Sequence, residues 1–161
     1  MTKTVHLPEE FSLGPRPLDI CDDEDRLLYR LEAVDTVAIR EWELKDSNQQ
    51  VVCRLHRRLS WLGPWFRLDF AKDKSLFVRL KPRRNRAVWR CTGQQNMTLT
   101  GNLWSMNWRL VKDQEVLAKV CYQVKRAKRH YSITLYDEGV QDIVISLVTA
   151  VDFVKGLLKE Y

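Results

Sequence analysis

From Leu18 to Leu135 apolar and polar residues alternate in short stretches, with polar runs between one stretch and the next. A period of two is the mark of antiparallel strands that bury one face. Leu18 to Cys21, the turn Asp22-Asp23-Glu24-Asp25 and Arg26 to Val34 form a first strand-turn-strand unit, and Ala38 to Leu44, Lys45-Asp46-Ser47-Asn48 and Val51 to Leu55 a second. Trp65 to Phe70, Lys72-Asp73-Lys74 and Leu76 to Leu80 form a third, with Phe66, Leu68 and Phe70 on one face. Ala87 to Thr92, Gly93 to Asn96 and Met97 to Asn102 give a fourth. In the fifth, Trp104 to Val111, Lys112 to Glu115 and Val116 to Val124, the residues Val116, Ala118, Val120, Tyr122 and Val124 share a side. Tyr131, Ile133 and Leu135 mark a last strand, which leads through Asp137-Glu138-Gly139 into a different pattern.

Met97 to Val111 could be read as one strand, but at about 3.3 Å per residue it would run near 50 Å, roughly twice its neighbours. Gly101-Asn102 is the place to divide it. The segments then number about eleven.

After them, Gln141 to Tyr161 reads as a helix that is apolar on nearly every side: Ile143, Val144, Ile145, Leu147, Val148, Ala150, Val151, Phe153, Val154, Leu157 and Leu158 leave little room for a solvated stripe. Such a helix must be buried. Over residues 141–159 it would be about 28 Å long, the height of a barrel built from strands of ordinary length. Asp142 at its start and Lys155 and Lys159 near its end suit the helix dipole. The expected architecture is a closed antiparallel β-barrel of 11–12 strands, about residues 18–136, enclosing a C-terminal helix in a single domain over residues 1–161. A β-sandwich is the alternative, but it has no use for a wholly apolar helix.

Composition narrows the partner. With 27 Lys+Arg against 21 Asp+Glu the net charge is +6, which favours an anionic partner such as phospholipid or nucleic acid. The N-terminal segment has no apolar core of signal-peptide length, so a cytoplasmic protein is expected, with peripheral contact to the inner membrane face. Only Ile143 to Val151 is uninterrupted by charge, well short of the roughly 20 residues a membrane span needs. Cys21, Cys53, Cys91 and Cys121 never form a Cys-x-x-Cys pair, which argues against zinc; reduced core thiols are expected.

Because hairpins alternate ends, tight turns should gather at one mouth of the barrel and connectors at the other. The turns 22–25, 45–48, 72–74, 93–96, 112–115 and 137–142 carry a summed charge of −7, and the connectors 35–37, 54–62, 81–86, 103–105 and 125–130 carry +10. Without the break at Gly101 the totals become +1 and +2. The basic mouth holds Arg57, Arg58, Lys81, Arg83, Arg84, Arg86, Lys125, Arg126, Lys128 and Arg129, and Trp61, Trp65 and Trp104 lie in or beside its connectors. Basic residues with indoles suit a protein resting on an anionic bilayer surface. The bland readings are that Trp65 and Trp104 point into the barrel and that the charges are solvated loops. Nucleic acid could also meet this rim through phosphate contacts and stacking, although no recognition helix or exposed aromatic sheet motif accompanies it.

Catalytic chemistry finds little support. Cys53 and His56 should face opposite sides of a strand, and Cys121 and His130 are separated by a connector. There is no phosphate-binding glycine loop, and His6, His56 and His130 are too scattered for a metal site, so neither metal nor cofactor is expected. Asp152 stands among apolar helix neighbours and requires a partner, an inward Arg or a Thr of the wall, in a structural role.

These pieces together resemble the LURP-one-related family, whose bacterial members are sometimes called YxjI-like, within the tubby C-terminal and phospholipid scramblase superfamily. The resemblance covers nearly the whole chain. It rests on the serial strand-turn-strand units, on Met97-Thr98-Leu99-Thr100-Gly101-Asn102-Leu103-Trp104, on His130-Tyr131-Ser132-Ile133, and above all on Ile145-Ser146-Leu147-Val148-Thr149-Ala150-Val151-Asp152. It implies a barrel of about a dozen strands around a hydrophobic C-terminal helix, and so one strand more than the eleven read above, before Leu18. For function it implies less: tubby domains are known for binding phosphoinositides, and scramblases act at bilayers. With no catalytic constellation and a basic rim, the reading is a non-enzymatic module that binds anionic phospholipid headgroups at its connector end. No tubby lipid-site motif matches position by position, so no site residue is carried over. A protein-interaction or scaffold domain is the second reading, and non-specific nucleic-acid binding the third.

Overall fold

Alternation becomes strand almost wherever it occurs. The computed structural model describes residues 2–8, 17–34, 41–60, 63–71, 74–83, 86–93, 97–102, 107–125 and 128–159. Among them are β1 (Lys3–Pro8), β2 (Leu18–Asp22), β3 (Leu27–Ala33), β4 (Glu41–Asp46), β5 (Val51–Ser60), β6 (Gly63–Phe70), β7 (Lys74–Arg83), β8 (Arg86–Gly93), β9 (Met97–Asn102), β10 (Asn107–Lys112), β11 (Glu115–Lys125), β12 (Lys128–Leu135) and the helix α1 (Gln141–Lys159). β1 is the strand expected before Leu18.

The strands follow one another antiparallel in the order β1-β12-β11-β10-β9-β8-β7-β6-β5-β4-β3-β2. β1 lies along β12 from Lys3↔Leu135 to Pro8↔His130. On its other side it meets β2 at two positions, Val5↔Asp22 and His6↔Cys21. His6 Nε2 also reaches Asp23 Oδ1, in the turn that follows β2, at 2.5 Å. One sheet thus holds all these strands, which removes the two-sheet sandwich. The architecture is mainly antiparallel β with a single C-terminal helix.

The inner face is read off every second residue: Val5 and Leu7, Leu44, Cys53 and Leu55, Phe66 and Leu68, Leu99, Trp108 and Leu110, Tyr131, Ile133 and Leu135 are all buried. Against it lies α1, whose residues 144 to 151 are each 0% exposed, Ser146 and Thr149 included. Burial through two turns leaves this stretch of the helix no solvated side, and its contacts come from well-separated strands. Phe153 stacks on Trp42 of β4 at 4.3 Å and lies 6.1 Å from the Phe66 ring of β6. Asp152 meets Tyr131 of β12. The hydroxyl of Thr149 donates back to the Ile145 carbonyl at 2.8 Å, satisfying itself within the helix.

The division at Gly101 is real. β9 and β10 are separate strands, with Gly101 paired to Trp108. A Cβ on Gly101 would lie 2.2 Å from the Asn107 carbonyl oxygen and 2.4 Å from Trp108 Cδ1, so glycine is required by the close approach of the next strand.

The turns are built by polar side chains. Asp22 Oδ1 accepts from the amides of Glu24 and Arg26 at 2.9 and 3.0 Å, and Asp46 Oδ1 from those of Asn48 and Gln50 at 2.9 and 3.0 Å. The Arg26 amide, more than any other contact, holds the Asp22 carboxyl below its usual range. Between the paired residues Lys112 and Glu115, Asp113 (φ 50°) and Gln114 (φ 67°) both take positive φ, as a two-residue hairpin turn demands.

Two expectations are corrected. The basic stretches are strand ends rather than loops: Arg57 and Arg58 pair with Phe66 and Trp65, Lys81 and Arg83 with Val88 and Arg86, and Lys125 with Lys128. A cation on the outer face of an antiparallel sheet costs nothing in pairing, so charge was a poor stop signal. Nor are the thiols uniformly in the core. Cys53 is buried, but Cys121 is exposed, because the inward set of β11 is the even-numbered one. The side chain of Cys91 lies outside the described residues.

Candidate functional site

Strand alternation brings the candidate cations to one end of the sheet. The β5–β6 hairpin closes at Ser60↔Gly63, β7–β8 at Arg83↔Arg86 and β11–β12 at Lys125↔Lys128. Each is a connection at the same end, because each antiparallel strand reverses the last. β5 to β8 are consecutive in the sheet, so Arg57, Arg58, Lys81, Arg83 and Arg86 fall on one arc, while Lys125, Lys128 and Arg129 form a second arc beyond β9 and β10. Arg84, Arg126, Trp61 and Trp104 lie outside the described residues, as do the side chains of Lys81, Arg83, Arg86, Lys125, Lys128 and Trp65.

The described cations divide by face. Arg57 is half-buried and shares the inner face with its register partner Phe66, whereas Arg58, one residue on, is exposed on the outer face. Arg129 is exposed, and its inner-face partner Val124 is an apolar side chain left 65% exposed at the same end.

The opposite end is acidic and is where α1 begins. The Tyr29 hydroxyl of β3 donates to Asp142 Oδ1 and accepts from Gln141 Nε2 at 2.8 Å. Burial, then Asp142, pushes the Tyr29 phenol well above its ordinary range, so it remains a donor. Further along α1, Asp152 is buried and accepts from the Tyr131 hydroxyl of β12. A Tyr of the wall thus supplies a donor to the buried carboxylate, beside the Arg or Thr expected there. The two Tyr–Asp contacts give an otherwise featureless apolar helix one rotational and axial setting. Tyr131→Phe is expected to lower stability by about 1–3 kcal/mol, since it strips a donor from a buried carboxylate. Chemical denaturation would measure it, with Tyr136→Phe, at an exposed position, unchanged.

Burial pushes the Cys53 thiol up to about 12, and Cys21 is likewise raised, by burial and then by Asp19, Asp25 and Asp22. Among the described residues no group of three or more His, Cys, Asp or Glu is placed to hold a metal ion. One outer-face network went unanticipated. His56 Nδ1 lies 2.7 Å from Glu41 Oε1 and its Nε2 3.0 Å from Asp69 Oδ2. Arg67 Nε and Ser75 Oγ also donate to Asp69, at 3.0 and 2.8 Å. Its members are far apart in the chain and meet only through the registers of β4 to β7.

No described helix is long and apolar enough to cross a membrane. A family model described as LURP-one-related matches residues 5–152. The X-ray structure of an Arabidopsis thaliana protein is similar in fold, with a TM-score of 0.70 at 13% identity, over 94% of this chain and 90% of that one. No curated protein matches.

Proposed function

The chain belongs to the LURP-one-related family, and from that premise we propose that it is a non-enzymatic binding module whose basic end rests on anionic phospholipid headgroups. In this reading the two-position contact of β1 with β2 closes the sheet into a barrel around α1, and the protein works in the cytoplasm against the inner membrane face. The observation that carries the reading is the gathering of three basic hairpin ends at one end of the sheet. Val124 supports it, because an apolar side chain exposed among cations suits the boundary between headgroups and acyl chains. Each cation near such a surface contributes about 1 kcal/mol, so the arc binds measurably and in a salt-sensitive way.

Co-sedimentation with phosphatidylserine-containing and neutral phosphatidylcholine vesicles, at low and high salt, tests this. Wild type is expected to pellet with the anionic vesicles at low salt only. Combined Arg83→Glu, Arg84→Glu and Lys128→Glu should abolish that binding. Absence of wild-type binding under every condition would overturn the lipid reading and leave a protein partner as the alternative.

A further inference from the structure

His56 lies on the outer face of β5, one same-face step from Arg58, and its side chain is 11% exposed between two carboxylates. A neutral imidazole has one N–H and one lone pair, so it can donate to only one of them. The other carboxylate would then face the lone pair at 2.7 or 3.0 Å. Both contacts are favourable together only when the ring carries two protons. We propose that Glu41, His56 and Asp69 form a proton-gated clasp, which strengthens the attraction of the neighbouring basic end for an anionic surface as the pH falls.

The two bridges are unequal. Asp69 keeps Arg67 and Ser75 when His56 loses a proton. Among the described residues Glu41 has His56 as its partner, its side chain is 48% exposed, and it is the first residue of β4 at the basic end. Deprotonation therefore removes one positive charge and releases a carboxylate at the basic end. The other groups facing the ring do not replace what is lost: Glu43 on β4 is engaged by Lys45 at 3.9 Å and Arg54 at 3.7 Å, and Arg67 on β6 is engaged by Asp69. Arg54 and Arg58, on the ring's own strand, are cations. On β7, beyond β6, Ser75 is held by Asp69.

The coupling to binding rests on the lipid reading, but the clasp itself does not, and the experiment separates them. Histidine ring ¹⁵N resonances are recorded at pH 6 and pH 8.5 for wild type and Glu41→Gln. The clasp requires two protonated nitrogens on His56 at pH 6, one at pH 8.5, and altered shifts in the Glu41→Gln protein. A single protonated nitrogen at pH 6, or shifts indifferent to Glu41→Gln, overturns it.

Phosphatidylserine vesicle partition is then measured at both pH values in a His6→Gln, His130→Gln background, with and without His56→Gln. One charge near an anionic surface changes partition by about five-fold. A difference of at least that size with His56 present, and none with His56→Gln, supports the coupling; equal partition at the two pH values overturns it. Failure to bind vesicles at either pH overturns the lipid reading and the coupling with it, while the ring resonances still decide the clasp.

Discussion

Leu147→Asp leaves no folded protein. Leu147 is fully buried, midway along a run of α1 in which residues 144 to 151 are all 0% exposed. A carboxylate there would meet neither water nor a hydroxyl of the kind Tyr131 offers Asp152 one helical turn and a residue further on. Burying it ionised costs many kcal/mol, and burying it protonated still forfeits the leucine contacts and strands a polar group. Against a total stability of about 5–15 kcal/mol, that is disabling. Leu147→Ala deletes only the side chain and should cost about 2–5 kcal/mol, leaving a cooperative transition at a lower temperature. Circular dichroism melts of the two variants check this. A near-normal melt for Leu147→Asp would mean that this face of the helix touches water.

Gly101→Ala should be severe for a single added methyl, lowering stability by about 3 kcal/mol. The new Cβ would sit 2.2 Å from the Asn107 carbonyl oxygen, a backbone atom that cannot rotate away, and 2.4 Å from the ring of Trp108, which is buried. Relief requires β9 and β10 to part. Gly139→Ala is the control: its nearest neighbour is Asp137 Oδ1 at 3.1 Å, the tip of a movable side chain, so a change under about 1 kcal/mol is expected. Urea denaturation of the pair measures the contrast. The result also bears on function. If Gly101→Ala were harmless, the close approach of β9 and β10 would be wrong, and a merged strand would send every later hairpin to the opposite end and scatter the cations.

Period-two alternation and one apolar segment were enough to read most of the architecture. Phe66/Leu68, Leu76/Leu80 and Val116 to Val124 already announced their strands, and α1 runs over the expected residues 141–159. The break at Gly101 was readable from strand length, which required one, and from the Gly101-Asn102 pair, which placed it. β1 was only suspected, since Lys3 to Pro8 holds just Val5 and Leu7 as inward residues and gains its meaning from pairing with β12. The basic end was foreseen as loops and is made of strand ends, because polar outer positions look the same whether or not the backbone is paired. The Glu41–His56–Asp69 clasp and the Tyr29–Asp142 contact could not be read, because they join residues whose proximity exists only after the registers are set.

The place of α1 in the chain has a consequence for how the molecule is made. Strands neighbouring in sequence are neighbours in the sheet, so pairing can begin while the polypeptide is still being synthesised. Yet the segment that covers the apolar inner face is translated after all of them, and β1 must wait for β12. At about 5–20 residues per second the apolar inner face stands open for on the order of seconds before α1 leaves the ribosome. A nascent chain stalled before Gln141 would be a curved apolar sheet with unpaired margins, the kind of surface that recruits chaperones or joins its copies.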